Sequence, residues 1–409
     1  MKRSAGPRSR LAALRCALAA LAAAGLATGC GSQSARVALA APPAVTASLN
    51  TSLVTAQGTW AIAVMGGSAA DENNFWQLFA RPAGASRWSL VTPPGVADNG
   101  GLVAAGGAAS LLIGFRPSQG LAFSPLATST DAGRSWTPGL LDAALADVAD
   151  GISVSPSGQV LALLSDGTIQ AAGTPAAVAA GQWSPLTTRN ALAASSPGRN
   201  CGLLDLNAVS FGPNEGNPVA AGSCARPGVA GIFADYRGTW RAAGPAVPAG
   251  WARRQVQVLG LGGTAGGNVA LLLAGTELVA AWSTGSGWST SAVLGGAAGV
   301  RAAGFGAGGS AWVLLGGGRA ETISGPSGGQ SGGQSGGQSG GQSGGQSGAW
   351  RALPAVPAGT VTLAPDEGGS FDALAVAGSR LTVWTAGPTA TAWTKAQVIT
   401  VPIEYGSSS

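Results

Sequence analysis

Acidic and basic side chains are the groups in this sequence that could carry out chemistry. The first set is a run of carboxylates within one connecting segment, formed by Asp142, Asp147 and Asp150. The second set is three arginines that follow two recurrent tryptophans: Arg253, Arg254 and Arg301. Carboxylates provide acid–base chemistry in glycoside hydrolysis, and guanidinium groups bind carboxylates through paired hydrogen bonds. These six residues are therefore candidates for binding an acidic sugar, if the fold brings them together in a funnel at its centre. The alternative is that they are solvated charges of surface loops.

The composition excludes several other kinds of site. The chain contains no histidine, so neither Ser-His-Asp nor Cys-His catalysis is available to it. Its few cysteines, without histidine, are a poor set of metal ligands, and we expect neither a metal nor a cofactor. The glycine-rich segment 260–268 precedes a predicted strand rather than a helix, which argues against a phosphate-binding loop.

The positive charge of the chain is concentrated at its amino terminus. The formal net charge is +5, and five basic residues precede residue 16: Lys2, Arg3, Arg8, Arg10 and Arg15. The rest of the chain carries 17 basic and 17 acidic side chains and is therefore neutral. A nucleic-acid-binding protein should carry a basic surface on its folded part. We therefore expect no nucleic-acid partner.

The amino terminus has the pattern of an export signal. A positively charged stretch at 1–15 precedes an apolar run at 16–26, which is too short to span a bilayer comfortably. The run leads into LATGC at 26–30, which resembles the lipobox of bacterial lipoproteins. That resemblance implies removal of a signal peptide at 1–29 and diacylation of Cys30, which would anchor the protein stably. The alternative is ordinary secretion after cleavage at the A-x-A sequence at 38–40.

Two further cysteines belong to the folded part, Cys201 and Cys224. An even number of cysteines in an exported protein favours a disulfide, because the compartment is oxidising. Cys201 is expected at the start of one strand and Cys224 at the end of the next. Antiparallel neighbours bring such ends together, so we predict that these two cysteines are bonded.

A tryptophan recurs at intervals of 43 to 62 residues and marks an internal repeat. The recurrent residues are Trp88, Trp136, Trp183, Trp240, Trp288, Trp350 and Trp393. Each unit contains four short strand patterns separated by turns, and repeats of this length are typical of propellers. The sequence predicts an all-β fold, a single β-propeller of seven four-stranded blades. Six or eight blades are the alternatives, because the first unit matches the others least well.

The strand pattern also sets the domain limits. The second strand of each unit is an almost continuous apolar run, which is typical of a strand covered on both faces. We place the propeller at 49–404, after a flexible tether at 30–48 and before a tail at 405–409. The sequence leaves open whether residues 44–49 pair with the last blade as a clasp. Five Ser-Gly-Gly-Gln copies at 327–346 predict a flexible loop on the rim of the sixth unit.

One complete Asp-box motif lies in the second unit. Residues 129–136 read STDAGRSW and match the pattern S-x-D-x-G-x-[ST]-W at Ser129, Asp131, Gly133 and Trp136. This stretch resembles the BNR repeats of sialidase-like propellers, and the repeat spacing extends the resemblance over about residues 50–404. The resemblance implies a structural turn at the edge of a blade, away from any active site. Aspartate stabilises such turns by accepting backbone hydrogen bonds.

The same resemblance implies a sialidase active site, whose main parts are missing from this sequence. Sialidases hold the substrate with three arginines and use a Tyr–Glu nucleophile with an aspartic acid/base. The chain has two tyrosines, Tyr236 in a predicted turn and Tyr405 near the carboxyl end, and neither is placed centrally.

These observations predict a non-catalytic binding or scaffolding module. We expect a monomer, anchored by lipid at the outer face of the cytoplasmic membrane, with a protein or glycan ligand. The alternatives are a sialidase-like glycoside hydrolase with a rearranged site and an assembly factor for a membrane complex. A fold by itself does not distinguish among these functions.

Overall fold

Short antiparallel strands joined by tight turns make up most of the structure, as the alternation of apolar runs with Gly and Pro predicts. A computed structural model describes residues 51–66, 74–93, 102–106, 111–115, 125–140, 149–212, 217–264, 267–284, 287–326, 348–366 and 368–402. The predicted limits of the signal peptide, tether and tail, the lipobox, the 44–49 segment and the 327–346 tract lie outside these residues.

Seven sheets of four strands form the blades, and each takes its strands in chain order from one continuous segment. Blades 1 to 4 contain β1 (Ser52–Thr55), β2 (Gly58–Gly66), β3 (Asn74–Pro82), β4 (Ser89–Leu90); β5 (Leu102–Gly106), β6 (Leu111–Phe115), β7 (Pro125–Ser129), β8 (Thr137–Leu140); β9 (Ala149–Val154), β10 (Val160–Leu164), β11 (Thr168–Ala172), β12 (Ser184–Thr188); and β13 (Leu203–Phe211), β14 (Pro218–Cys224), β15 (Gly231–Tyr236), β16 (Thr239–Ala242). Blades 5 to 7 contain β17 (Gln257–Thr264), β18 (Gly267–Ala274), β19 (Glu277–Thr284), β20 (Gly287–Thr290); β21 (Val300–Phe305), β22 (Ala311–Leu315), β23 (Ala320–Ile323), β24 (Arg351–Ala352); and β25 (Thr360–Pro365), β26 (Phe371–Ala377), β27 (Arg380–Ala386), β28 (Thr394–Thr400).

The predicted fold, a seven-bladed β-propeller of four-stranded blades, is confirmed. The first strands of neighbouring blades approach one another around the centre, so the first strand of each blade is innermost. The fourth strand lies at the outer edge, as its position after the first three requires.

The hydrophobic core consists of seven apolar layers, one between each pair of neighbouring blades. Successive side chains of a strand point to opposite faces of its sheet. In β2, Trp60 and Ile62 therefore pack towards blade 2, whereas Ala61, Ala63 and Met65 pack towards blade 7. This is why the second strands are apolar at almost every position.

Three short helices interrupt the strands in and after blade 3, and the sequence patterns did not predict them. They are α1 (Pro175–Ala179), α2 (Arg189–Ala194) and α3 (Ser196–Cys201), and three single 3₁₀ turns occur elsewhere, at Ala249–Trp251, Ala307–Gly309 and Gly316–Gly318. Side-chain oxygens of Thr174, Thr188 and Ser195 accept a hydrogen bond from the first turn of α1, α2 and α3 respectively. Such capping satisfies amide groups that a one-turn helix would otherwise leave unpaired.

Cys201 and Cys224 form a disulfide, with Cα atoms 5.1 Å apart. The predicted location of Cys201 at the start of a strand was wrong, because this residue ends α3 and the strand β13 begins at Leu203. Leu203 is paired with Cys224 in the register of β13 and β14, so the two cysteines still meet at one end of the blade. The bond fixes the α2–α3 segment to blade 4.

Removing this disulfide should lower the free energy of unfolding by about 3 kcal/mol, because the bond closes a loop with a sequence separation of 23 residues. The double variant Cys201→Ala/Cys224→Ala avoids a free thiol and keeps both buried positions apolar. Urea unfolding of wild type and variant, each with and without reductant, measures the loss. Reductant should destabilise the wild type only. Equal urea midpoints for all four samples would contradict the expectation.

Among the described residues, blades 1 and 7 share no strand, and most contacts that close the ring between them are made by side chains. The seventh blade takes its four strands from residues 360–400, and the first takes its own from residues 52–90. An apolar layer joins these two blades, as at the other junctions. The hydroxyl groups of Thr51 and Thr362 lie 2.7 Å apart across the same junction, near the axis.

Candidate functional site

The two ends of the blades form two different faces of the propeller. One face, which we call the turn face, carries the turns between the first and second strands and between the third and fourth strands of each blade. The connection face carries the turns between second and third strands and the links from one blade to the next. The Asp-box lies on the turn face, between β7 and β8, whereas Arg253 and Arg254 lie on the connection face, before β17.

The Asp-box folds as a tight turn held by two side chains. The Asp131 carboxylate accepts hydrogen bonds from the backbone N–H of Ser135 at 2.9 Å and from its hydroxyl at 2.6 Å. The Ser129 hydroxyl accepts the N–H of Gly133 at 2.8 Å. Gly133 has φ +79°, and a Cβ there would lie 2.9 Å from Val91, so glycine is required both by the turn and by the neighbouring blade.

These hydrogen bonds make the Asp-box sensitive to acid. The Ser135 hydroxyl and then the Ser135 N–H lower the pKa of Asp131 from 3.8 to about 2. A carboxylate with a lowered pKa stabilises the fold above its unfolded value and loses that contribution as the pH falls through the folded value. The stability difference between wild type and Asp131→Asn should therefore be constant above about pH 5 and shrink as the pH falls towards 2. Urea midpoints across this range measure it. Ser135→Ala removes the hydroxyl that lowers the pKa of Asp131 most, so it should narrow the pH range over which the stability difference changes. A stability difference that does not change with pH would contradict the assignment.

Recurrent tryptophans link each blade to the one before it. Four of them donate the indole N–H to a backbone carbonyl that lies three or four residues beyond the preceding tryptophan, at 2.6 to 3.0 Å. The pairs are Trp136 with Val91, Trp288 with Ala243, Trp350 with Ala292 and Trp393 with Pro354. The repeat period in the sequence therefore corresponds to a repeated contact between blades.

At the junction of blades 7 and 1 the acceptor is a carboxylate instead of a carbonyl. Trp88 donates its indole N–H to Asp372 at 2.7 Å. Arg81 lies 2.9 Å from the same carboxylate and stacks over the Trp88 ring at 5.5 Å. Thr385 donates its hydroxyl to Asp372 at 2.6 Å. Asp372 is 3% exposed, so a buried carboxylate helps to hold the two ends of the ring together.

A pocket of about 330 Å³ opens on the turn face beside this carboxylate. Three turns form it, the β1–β2 and β3–β4 turns of blade 1 and the β25–β26 turn of blade 7. Its polar side chains, which define what we call the junction pocket, are Thr55, Thr59, Arg81, Ser86 and Asp366. A volume of this size is at the lower end of the range for small-molecule sites.

The polar groups of the junction pocket differ in how far the protein already satisfies them. Arg81 is 15% exposed and paired with Asp372. Asp366 accepts a hydrogen bond from the backbone N–H of Ser370 at 2.8 Å. Among the residues that the structure describes, no cationic side chain lies within ion-pair distance of Asp366. A negative charge therefore faces the pocket.

The arginines predicted for a funnel lie on the connection face, opposite the junction pocket, and one of them forms an ion pair within the protein. Arg254 forms an ion pair with Glu277 at 2.9 Å, and Trp251 donates its indole N–H to the same carboxylate at 2.6 Å. The Trp251 N–H and then Arg254 lower the pKa of Glu277. Arg253 and Arg301 are exposed, the latter as the second residue of β21.

The predicted carboxylate cluster is described only in part. Asp142 and Asp147 lie outside the described residues. Asp150 is the second residue of β9 and is half-buried. Tyr236 ends β15 on the rim of blade 4, where Arg241 lies over its ring at 5.1 Å, so this tyrosine is not at the axis.

Within the described segments, no group of three or more acidic or cysteine side chains is arranged to hold a metal ion. None of the described helices is long and apolar enough to cross a membrane.

Comparison with known proteins finds similarity in fold. No protein-family model matches the chain, and no curated protein is significantly similar to it. A protein from Lactobacillus plantarum is 9% identical with a TM-score of 0.51, over 83% of this chain and 96% of that one. YCF48 bound to a D1 peptide is 15% identical with a TM-score of 0.46, over 81% and 91%. The six-bladed fungal lectin from Aleuria aurantia is 12% identical with a TM-score of 0.39, over 75% and 96%.

The likeness is one of fold only. A shared fold identifies neither the function nor the ligand or partner.

Sequence reasoning missed the junction pocket. Its described walls come from residues 54–59 and 81–86 of blade 1 and from Asp366 and Gly368 of blade 7, which are far apart in the sequence and meet only because the ring closes. The one available signal was the aspartate at the start of β26, Asp372, where the preceding and following residues are apolar.

Proposed function

We propose that this chain is a non-catalytic binding module, exported and held at the outer face of the cytoplasmic membrane by lipid on Cys30. The junction pocket is its binding site. The observation that supports this role is a concave polar pocket, built from both ends of the ring, with the Asp366 carboxylate on its described wall. Pockets of this kind, with a few convergent polar groups, are the usual sites for small ligands.

The chemistry of the pocket argues for binding rather than hydrolysis. Glycoside hydrolysis uses two carboxylic groups on opposite sides of the scissile bond, or a tyrosine nucleophile with its base in sialidases. Asp366 is the carboxylate on the described wall, and Asp372 behind Arg81 is already occupied by three donors. Tyr236 belongs to blade 4 and does not line the pocket.

Assays with fluorogenic sialosides and common glycosides test the non-catalytic role. We expect no turnover above the buffer blank, because the pocket offers no second carboxylate within its described wall. A control variant, Asp366→Ala, should be as inactive as the wild type. Turnover that disappears in Asp366→Ala or in Arg254→Ala would replace this proposal with a hydrolase.

Detergent partitioning tests the membrane anchor. The wild-type protein should enter the detergent phase, because two acyl chains on Cys30 give stable membrane attachment. Cys30→Ala should be released to the aqueous phase or remain unprocessed, whereas Cys16→Ala, within the signal, should behave as the wild type. A soluble wild-type protein that begins near Ala41 would instead indicate ordinary secretion.

A further inference from the structure

We propose that the junction pocket binds a small polyhydroxylated ligand that carries a protonated amino group, which is the chemistry of an amino sugar. This inference rests on the proposed binding function and specifies the ligand of that site. It is carried by the charge balance of the pocket, by the exposed hydroxyl of Ser86 and by the size of the pocket.

The charge balance favours a cation. Arg81 is the basic residue of the lining, and its charge is compensated by Asp372 at 2.9 Å. The charge of Asp366 has no cationic counterpart in the described part of the chain, since the partner of its Oδ1 is a backbone N–H. Arg87, the next basic residue along the chain, is exposed and does not line the pocket. The pocket is therefore negative overall, and an ammonium group beside Asp366 would gain a charge-assisted hydrogen bond.

The same charge balance disfavours an anionic ligand. A carboxylate or phosphate would lie near Asp366 and would compete with Asp372 for the guanidinium of Arg81. Like charges at short distance in a partly enclosed site repel one another more strongly than in bulk water. The pocket is thus unsuited to the acidic sugars that a sialidase-like site would bind.

The exposed hydroxyl of Ser86 suits a polyol, because a hydroxyl both donates and accepts hydrogen bonds. The other two hydroxyls of the lining are engaged within the fold: Thr55 accepts hydrogen bonds from the backbone N–H of Gln57 and the indole N–H of Trp60, and the buried Thr59 donates to the Pro365 carbonyl. Sugar hydroxyls have the same dual capacity as Ser86 and can pair with it. Apolar wall residues, among them Val54 and Pro82, can contact the carbon face of a sugar ring. A pocket of about 330 Å³ admits a single hexose unit with its amino group.

Three hexoses that differ in charge test the inference: glucosamine, glucose and glucuronate, each titrated against the full-length protein by calorimetry. We expect glucosamine to bind about tenfold more tightly than glucose, because one charge-assisted hydrogen bond to Asp366 is added. Glucuronate should bind more weakly than glucose. The preference for glucosamine should diminish as salt is raised, since the ion pair is only partly buried.

Two variants separate the charge from the hydroxyl groups. Asp366→Asn should remove the preference, so that glucosamine and glucose bind with equal affinity. Ser86→Ala should weaken both sugars by a similar factor. Asp166→Asn is the matched control, because Asp166 also accepts a backbone N–H in a turn, at 2.7 Å, but lies in blade 3 between β10 and β11. It should leave all three affinities unchanged, and circular dichroism should confirm that each variant is folded.

The inference and the proposed function fail in different ways. Equal binding of glucosamine and glucose to the wild type, or a preference that survives Asp366→Asn, would overturn the inference and leave a binding module with another ligand. A failure of all three hexoses to bind at millimolar concentration would also overturn it. Turnover of a glycoside would overturn the proposed function itself, whatever the charge preference.

Discussion

Replacing Asp372 by alanine should lower the free energy of unfolding by about 3–5 kcal/mol, the usual cost of removing one partner of a buried ion pair. The carboxylate is 3% exposed and accepts hydrogen bonds from Trp88 and Thr385 in addition to its pairing with Arg81. Its loss would leave a guanidinium and an indole N–H without their acceptor at the junction that closes the ring.

A graded series of variants tests this expectation by urea unfolding. Asp372→Asn keeps the size of the side chain and should lose less than alanine does. Trp88→Phe removes one donor but keeps an aromatic ring and should cost about 1–2 kcal/mol. Asp166→Asn, on an exposed turn of blade 3, should be within 0.5 kcal/mol of the wild type, as is usual for surface changes. If Asp372→Ala were as stable as that control, the carboxylate would not be what holds the ring closed.

Replacing Trp136 by alanine should cost about 3 kcal/mol, the lower end of the range for a packed tryptophan because this side chain is half-buried. The ring packs into the apolar layer between blades 1 and 2, near Trp60. Its indole N–H donates to the Val91 carbonyl at 3.0 Å, so the substitution removes packing and an inter-blade hydrogen bond together.

Two measurements distinguish this structural role from a role in binding. Trp136→Phe should recover most of the stability, because the aromatic ring remains and only the N–H is lost. The affinity for glucosamine should be the same in wild type and in Trp136→Ala at a temperature where both are folded. An unchanged melting temperature with lost binding would move the Asp-box from the scaffold to the ligand site.

The blade pattern was predictable because every blade repeats the same local sequence pattern of short apolar strands and turns. The second strands, buried between two blades, are apolar at almost every position, as Gly267–Ala274 of blade 5 shows. The recurrent tryptophans were predictable as a repeat for the same reason. Their hydrogen bonds to the preceding blade were not, since a spacing does not specify which carbonyl lies opposite.

The helices and the candidate site escaped prediction for two physical reasons. The helices α1 to α3 have five or six residues each, which is too short to show a helical period, and only their caps mark them. The site depends on ring closure, which brings Arg81 next to Asp372 across most of the chain. Arg254 was proposed for the ligand from its position after a recurrent tryptophan, because that spacing does not show that Glu277 pairs with it in the fold.

The tryptophan contacts also impose an order on assembly. Each of the four carbonyl-bound tryptophans reaches back to a blade that has already been synthesised, so a growing chain can dock blades 2, 5, 6 and 7 as they emerge. Trp88 and Arg81 are the exception, because their acceptor is made almost three hundred residues later. A nascent chain must therefore carry an unmatched positive charge on its first blade until the last blade arrives to neutralise it.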